Sequence, residues 1–428
     1  MKTVSEPRRE IPVRREVDVL VVGAGPAGTA AALSAARQGA RTLLIEQSGM
    51  AGGVATSGLM SHWTGNTAHI GIYGEILARA QDCPDPQVIH PEKLRSVLLE
   101  MLLEAGVEVQ FYTFACEAVL EGSRLAGVIT ESKAGREAIL AQVSVDASGD
   151  GDIAARAGAP YRKGREGDGK MQPMTLMFKV GGVETGRVVK FVGGFEDTYA
   201  IPGGDIQTLA RQQLPQPAGH LLIYRSSLPG VVSCNMTNAI EVDGTRPEDL
   251  TRAEVVCRRQ LGPILDFLSE QVRGFENCYL LETAAQIGVR ETRHFEGEYT
   301  LSEEDILSAR VFEDWAAPKV HFNFDIHNLA GSGLDESGEQ KHFKQARHYT
   351  IPYRCLVPKK IDGLLLAGRC ISGTHKASSN FRVMPVCAMI GQAAGSAAAL
   401  CVQQGVQPRA LDVRELQRVL RASGVSPD

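Results

Sequence analysis

Residues 17–23 read VDVLVVG, a short apolar run closed by glycine, and the residues that follow are mostly small and alanine-rich. A run of this length bounded by a turn residue predicts a buried strand, and the stretch from Ala27 to Gln38, stopped by Gly39, predicts a helix. RTLLIE at 41–46 predicts a second strand, so the three pieces form a βαβ unit. Further on, EKLRSVLLEMLLEAG (92–106) carries helical apolar spacing. VEVQFY, EAVLE, LAGVITES and AILAQVSVDASG then predict the short strands of an antiparallel meander.

From Tyr161 to His348 the pattern changes, with GREGDGK, VGGVETG and LPQPAG breaking up short strand-like and helix-like pieces. After Tyr349 the apolar α/β pattern returns in IPYRCLVP, GLLLAG and the small-residue helix CAMIGQAAGSAAALCVQQG. This predicts an α/β fold in which a Rossmann-like domain, a parallel sheet plus an antiparallel meander, is built from both ends of the chain. Residues 1–16 form an N-terminal arm, 17–160 the first part of that domain, 161–348 an inserted mixed α+β substrate or cap domain, and 349–428 the closing part. A chain of 428 residues accommodates this organisation.

Composition narrows the partners. With 22% charged residues and a net charge of -5, nothing points to nucleic acid or to an anionic membrane surface. The longest apolar stretches are too rich in Gly and Ala, and too interrupted, to predict membrane spans. Arg14 and Arg15 before an apolar run imitate a twin-arginine export signal, but that run is the first strand of the fold, so a cytoplasmic protein is expected. Nine cysteines without a C-x-x-C pair predict buried thiols rather than disulfides or zinc. Whether copies of the chain assemble into a homo-oligomer is left open.

Chemistry enters at Gly23-Ala24-Gly25-Pro26-Ala27-Gly28, which follows a strand and opens a helix. In that context the glycines allow a tight turn, close backbone approach to a pyrophosphate and close helix packing, while the helix N-terminus offers N–H groups to phosphate. Glu46 ends the second strand, where a carboxylate accepts hydrogen bonds from a ribose diol. The glycine-rich continuation QSGMAGGVATSG (47–58) suits a cofactor longer than NAD, running on to an isoalloxazine ring. A second loop, Gly149-Asp150-Gly151-Asp152-Ile153-Ala154, fits the same spacing formally. Its two aspartates would repel a second pyrophosphate, so it is read as closing the domain around one cofactor.

Several segments together resemble the FAD-dependent oxidoreductases of the glutathione-reductase-like flavin fold, and within them the family usually called simply FAD-dependent oxidoreductase. They are VVGAGPAGTAAALSAARQGARTLLIEQ, AGGVATSGL, VDASGDGDIAARAGA, GVRETRHFEGEYTL, IPYRCLVPKKIDGLLLAGRCISGTH and RVMPVCAMIGQAAGSAAAL, spread over residues 17–400. The resemblance implies FAD bound by Gly23, Gly25, Pro26, Ala27, Gly28, Glu46 and Gln47. It also implies that Gly52, Gly53, Val54, Ala55 and Thr56 run along the ribityl chain and flavin, that Ala147, Ser148 and Gly149 lie near the adenosine half, and that Gly368, Arg369, Met384, Pro385 and Gly391 close over the flavin. The wider superfamily commonly carries Asp after the late strand-Gly turn, where this chain has Arg369. That arginine is read as meeting the pyrophosphate, stabilising reduced flavin, or pairing with an internal carboxylate.

Three segments are candidates for the reactive face. His62 and Trp63 follow the flavin-side glycines and either wall the ring or belong to the core. Arg290, Glu291, Arg293 and His294 crowd one segment, where Arg290 and Glu291 form an internal pair or an arginine faces a carboxylate-bearing substrate. His375 and Arg382 precede a helix opened by Pro385, whose positive end suits negative charge on a flavin. Tyr353 and Arg354 are read as a strand edge. His321, Asp325 and His327 share one strand face on paper, but no metal site is expected. The catalytic candidates are therefore Arg290, His375, Arg382 and His62, for hydride transfer between a small polar organic substrate and flavin N5, with the electron acceptor unassigned. The alternatives are an NAD(P)H-dependent flavin reductase and a non-catalytic flavin-holding electron-transfer subunit.

Overall fold

Strand β1 (Val13–Val22) lies near the middle of a seven-stranded sheet, and its inner half is buried where VLVV meets helices and neighbouring strands. The structure is a computed structural model that describes residues 2–335, 345 and 347–427. Helix α1 (Pro26–Arg37) carries the chain back so that β2 (Thr42–Ile45) pairs parallel with β1, from Val19↔Thr42 to Val22↔Ile45. Parallel strands covered on both faces read as continuous apolar runs, which is why a short apolar run bounded by glycine, and not an alternation, locates them.

After α2 (Gly71–Ala80) and α3 (Pro91–Glu104), β3 (Glu108–Gln110) adds to the parallel edge beside β2. VEVQFY therefore extends the parallel sheet and does not start the meander. The meander proper is β4 (Phe114–Glu121), β5 (Arg124–Ser132) and β6 (Gly135–Asp146), antiparallel to one another. Strand β6 is also parallel to β1 and, at its far end, to Leu364–Leu366 through Leu364↔Ser144 and Leu366↔Asp146. Both ends of the chain thus complete one sheet. The arm joins it too, since Val13 and Arg15 pair with Ala138 and Ile139.

The late helix Met384–Gln404 lies on α1 almost backbone to backbone. A Cβ on Gly391 would stand 2.0 Å from the Ala27 carbonyl oxygen, and one on Gly395 2.0 Å from that of Ala31. Ser34 and Ser396 share a 2.7 Å hydrogen bond across the same seam. This helix is long and apolar enough to cross a membrane, but 94% of its apolar window is buried inside the protein, so core packing accounts for its composition.

The insert has its own antiparallel sheet, ordered Ile223–Arg225, Val232–Cys234, Phe178–Gly181 and Tyr279–Thr283. A separate core includes Phe178, Ile223, Ile264 from the helix Pro247–Gln271, and Phe275. The predicted 161–348 segment divides between two cores. Arg293–Phe295 pairs back onto Tyr161–Lys163, and beyond it Leu301, Phe312, Trp315, Val320 and Phe324 pack into the core of the nucleotide-binding domain. Strand Trp315–Val320 pairs with Tyr349–Pro352, so the chain returns to the first domain well before Tyr349.

Candidate active site

A cavity of about 680 Å³ runs from the first glycine loop to the cap, lined by Gly23, Gly25, Glu46, Ala147 and Gly368 at one end and by His62, Tyr224, Arg290, Asp325 and Arg382 at the other. The glycine-loop end is backbone-rich for a sequence reason. Gly25 is the N-cap of α1, and the first bond inside that helix runs from the Thr29 N–H to the Gly25 carbonyl at 2.9 Å. The N–H groups of Ala27 and Gly28 therefore have no acceptor within the helix. A Cβ on Gly25 would meet no protein atom within 4 Å, while Gly53, on the second glycine run, packs against the Gly25 Cα. The Glu46 carboxylate accepts the Ala24 N–H and the Ser48 N–H, each at 2.8 Å, which orients it and leaves acceptor capacity on the cavity wall.

Gly23, Gly25, Pro26, Ala27, Glu46, Gln47, Gly53, Val54, Ala147, Ser148, Gly149, Gly368, Arg369 and Met384 all line this cavity. Gly28, Gly52, Ala55, Thr56, Pro385 and Gly391 do not: a Cβ on Gly28 would strike the Gly23 carbonyl, and the Gly52 N–H bonds to the Ala24 carbonyl at 2.7 Å. These residues shape the loop from behind, and Gly391 serves helix packing.

The second glycine loop is held by protein groups. Buried Asp146 accepts the N–H groups of Ile153 and Ala154 at 2.9 and 2.8 Å, taking up donors that α4 (Asp152–Arg156) would otherwise offer to a phosphate. Arg369 donates from Nη2 to Asp150 Oδ1 at 3.0 Å, and Thr292 Oγ1 donates to the same oxygen at 2.7 Å. Arg293 engages Asp152 at 2.8 Å. Of the roles open to Arg369, the geometry shows the internal carboxylate pair, with both partners on the cavity wall.

The cap end gathers polar groups in otherwise apolar surroundings. Arg382 Nη2 donates to Asp325 Oδ2 at 2.8 Å, and His327 Nε2 lies 3.4 Å from the same oxygen. Arg290 donates from Nη1 to the Pro173 carbonyl at 2.6 Å and from Nη2 to Asn235 Oδ1 at 3.4 Å; among the described residues it forms no ion pair. Burial, and then the neighbouring Arg382, lower its pKa to about 10, so it remains a cation at neutral pH. Burial and Arg290 push His327 down to about 3, leaving a neutral imidazole. Burial alone would raise Asp325, but His327, Arg382 and Arg290 outweigh it and hold the carboxyl well below its usual range. His62 is lowered by burial and stacks on Tyr224 at 5.5 Å, while Trp63 stacks on Tyr73 in the core.

The remaining candidates lie elsewhere. His375 and His294 are buried and bind one oxygen of buried Glu291, His375 Nδ1 at 2.6 Å and His294 Nε2 at 2.7 Å; the other oxygen accepts the Gln172 N–H. Glu291 is thus paired with two histidines and not with Arg290, and His375 is off the cavity wall. Burial raises the Glu291 carboxyl, but the two histidine hydrogen bonds outweigh that and bring it down to about 2. Three potential metal ligands lie close here, yet separations of 2.6 and 2.7 Å are hydrogen-bond distances. Two ligands on one tetrahedral zinc stand about 3.3 Å apart. The His321 ring sits 5.2 Å from that of His348, not with Asp325 and His327. Tyr353 hydroxyl binds the Pro408 carbonyl and Arg354 pairs with Asp314. Tyr224, Asn235 and Phe195 join the wall without any sequence signal beyond their residue types.

Comparison with known proteins matches residues 18–420 to the family described as FAD dependent oxidoreductase. A thiamine thiazole synthase of Aeropyrum pernix is 37% identical over 122 residues, covering 26% of this chain and 43% of the relative. A digeranylgeranylglycerophospholipid reductase 2 of Methanopyrus kandleri is 29% identical over 149 residues, covering 31% and 38%. The matched regions are thus less than half the length of either relative. A geranylgeranyl bacteriochlorophyll reductase-like structure from Thermoplasma acidophilum aligns over 95% of this chain and 84% of its own with a TM-score of 0.52 at 13% identity, a likeness of fold. FAD fits the residues present, because the space beyond Gly25, the free helix N–H groups and the Glu46 carboxylate match a pyrophosphate and a ribose diol.

Proposed function

Because this chain belongs to the FAD-dependent oxidoreductase family, we propose that it dehydrogenates a small polar organic substrate lying in the cap half of the cavity, with hydride passing to flavin N5. The observation that carries this reading is the continuity of one cavity from the glycine loop to the Arg290, Arg382 and Asp325 cluster. FAD supplies the two-electron redox chemistry when bound.

The chain supplies placement and electrostatics. The α1 N-terminus and Glu46 hold the nucleotide half, and Gln47, Gly53 and Val54 carry the cavity onward. The N-terminal turn of Met384–Gln404 borders it through Met384 and Cys387, and that positive helix end favours negative charge nearby. Arg290 and Arg382 orient the substrate. His62, kept neutral by burial, is the wall group that accepts a proton as the substrate is oxidised.

The test is anaerobic. Protein loaded with FAD is mixed with a panel of small alcohols, amines and hydroxy acids, and with NADPH, while the visible flavin band is followed. Bleaching by an organic donor is the expected outcome. Rapid bleaching by NADPH, with none by any organic donor, would make the chain a nicotinamide-dependent reductase instead.

A further inference from the structure

We propose that the substrate is an organic acid with a single carboxylate, and that Arg290 is the side chain that anchors it. This rests on the dehydrogenase reading and narrows it to a chemical class. Among the described residues, three charged groups face the cap half of the cavity, Arg290, Arg382 and Asp325, and two of them form a 2.8 Å pair. Arg290 is left as the surplus cation, its described bonds being to a carbonyl oxygen of Pro173 and an amide oxygen of Asn235. The imidazoles on the same wall add no charge at neutral pH, since burial lowers both His62 and His327.

A half-buried guanidinium whose described bonds go to two neutral oxygens still has N–H donors to offer, and its planar fork suits the two oxygens of a carboxylate. Met177, Phe195, Leu222 and Phe322 line the surrounding wall, so the body of the acid meets apolar contacts while its charged end meets Arg290. A dianion is disfavoured because Asp325 already neutralises the second arginine.

The full-length chain loaded with FAD is titrated calorimetrically with acetate and benzoate, and with benzamide as the neutral counterpart of benzoate. Benzoate is expected to bind at least tenfold more tightly than benzamide. Arg290→Gln weakens benzoate at least tenfold and leaves benzamide unchanged, and Arg290→Lys falls between, with flavin content and circular dichroism confirming that each variant is folded. Equal binding of benzoate and benzamide, no binding of either carboxylate, or unchanged benzoate affinity in Arg290→Gln overturns the anchor. The two readings fail separately. A FAD-loaded chain that prefers benzoate but is bleached by no organic donor loses the dehydrogenase reading and keeps the anion site, whereas rapid flavin reduction by donors without a carboxylate sinks the anchor and keeps the dehydrogenase.

Discussion

Replacing Gly391 with alanine sets two known effects against each other. Inside an exposed helix, Gly to Ala adds about 1 kcal/mol of stability through backbone entropy. Here the new Cβ would lie 2.0 Å from the Ala27 carbonyl oxygen, against an ordinary contact of at least 3.4 Å, so the two helices must separate by about 1.4 Å. Both sides of that contact are backbone, and neither rotates away. Overpacking of this kind costs about 1–3 kcal/mol or somewhat more. It also moves α1, whose first turn faces the nucleotide end of the cavity. Set against the helix gain, the net expectation is a loss of about 1–2 kcal/mol, which at about 2 cal/mol/K of unfolding entropy per residue over 428 residues reads as a fall of about 1–2 °C in apparent Tm by scanning fluorimetry at fixed rate, with weaker FAD retention. Because the obstacle is the Ala27 carbonyl and not its methyl group, the double change Ala27→Gly with Gly391→Ala gives no rescue. An unchanged or higher Tm for Gly391→Ala would refute the backbone-to-backbone seam.

Two further expectations concern charged groups. Arg369→Leu removes one of two donors to Asp150 and leaves a carboxylate on the wall of the nucleotide end, so FAD affinity measured by fluorescence falls about tenfold or more, and Asp150→Asn in the same chain restores part of it. Equal affinity in Arg369→Leu and wild type would mean that the pair does not bear on the cofactor. Glu291 has a folded-state pKa of about 2, below the unfolded value of about 4.3, so its contribution, on the order of 3 kcal/mol, is complete above about pH 4.5 and is lost as pH falls through about 2. Glu291→Gln therefore lowers the apparent Tm at pH 7, and the gap to wild type narrows between pH 5 and pH 2; a gap independent of pH contradicts the depressed carboxyl.

What was legible in the sequence follows from which interactions are local. VDVLVVG, the loop at 23–28 and Glu46 declare a βαβ unit and a phosphate-binding turn because strand period, helix start and acid all lie within thirty residues. Leu364–Leu366 announces itself as a buried strand, though its place beside β6 depends on a long-range pairing. The cap wall is different in kind. Tyr224, Asn235, Arg290, Asp325 and Arg382 converge from separate elements, and no periodicity marks that convergence. His375 and Glu291 show the same limit: both residue types look chemical, and only their 2.6 Å contact reveals a buried hydrogen-bonded group away from the cavity. Gly391 reads as a cofactor contact because it lies in a motif rich in small residues, whereas its missing side chain admits the Ala27 carbonyl. The domain boundary shifts for a related reason, since Trp315–Val320 is bound to the first domain by pairing with Tyr349–Pro352.

The central claim is that one cavity holds FAD with its pyrophosphate at the α1 N-terminus. Gly25 tests it most directly, because its φ of -67° is open to any residue and a Cβ there would meet no protein atom within 4 Å apart from its chain neighbours, only the space the pyrophosphate needs. Equilibrium binding of FAD to the wild-type chain and to Gly25→Val is the measurement. One FAD per chain for wild type, and at least a hundredfold weaker binding for the variant with an unchanged Tm of the flavin-free protein, is the predicted result. Equal FAD affinity in the two proteins, or no flavin bound by wild type, would contradict it.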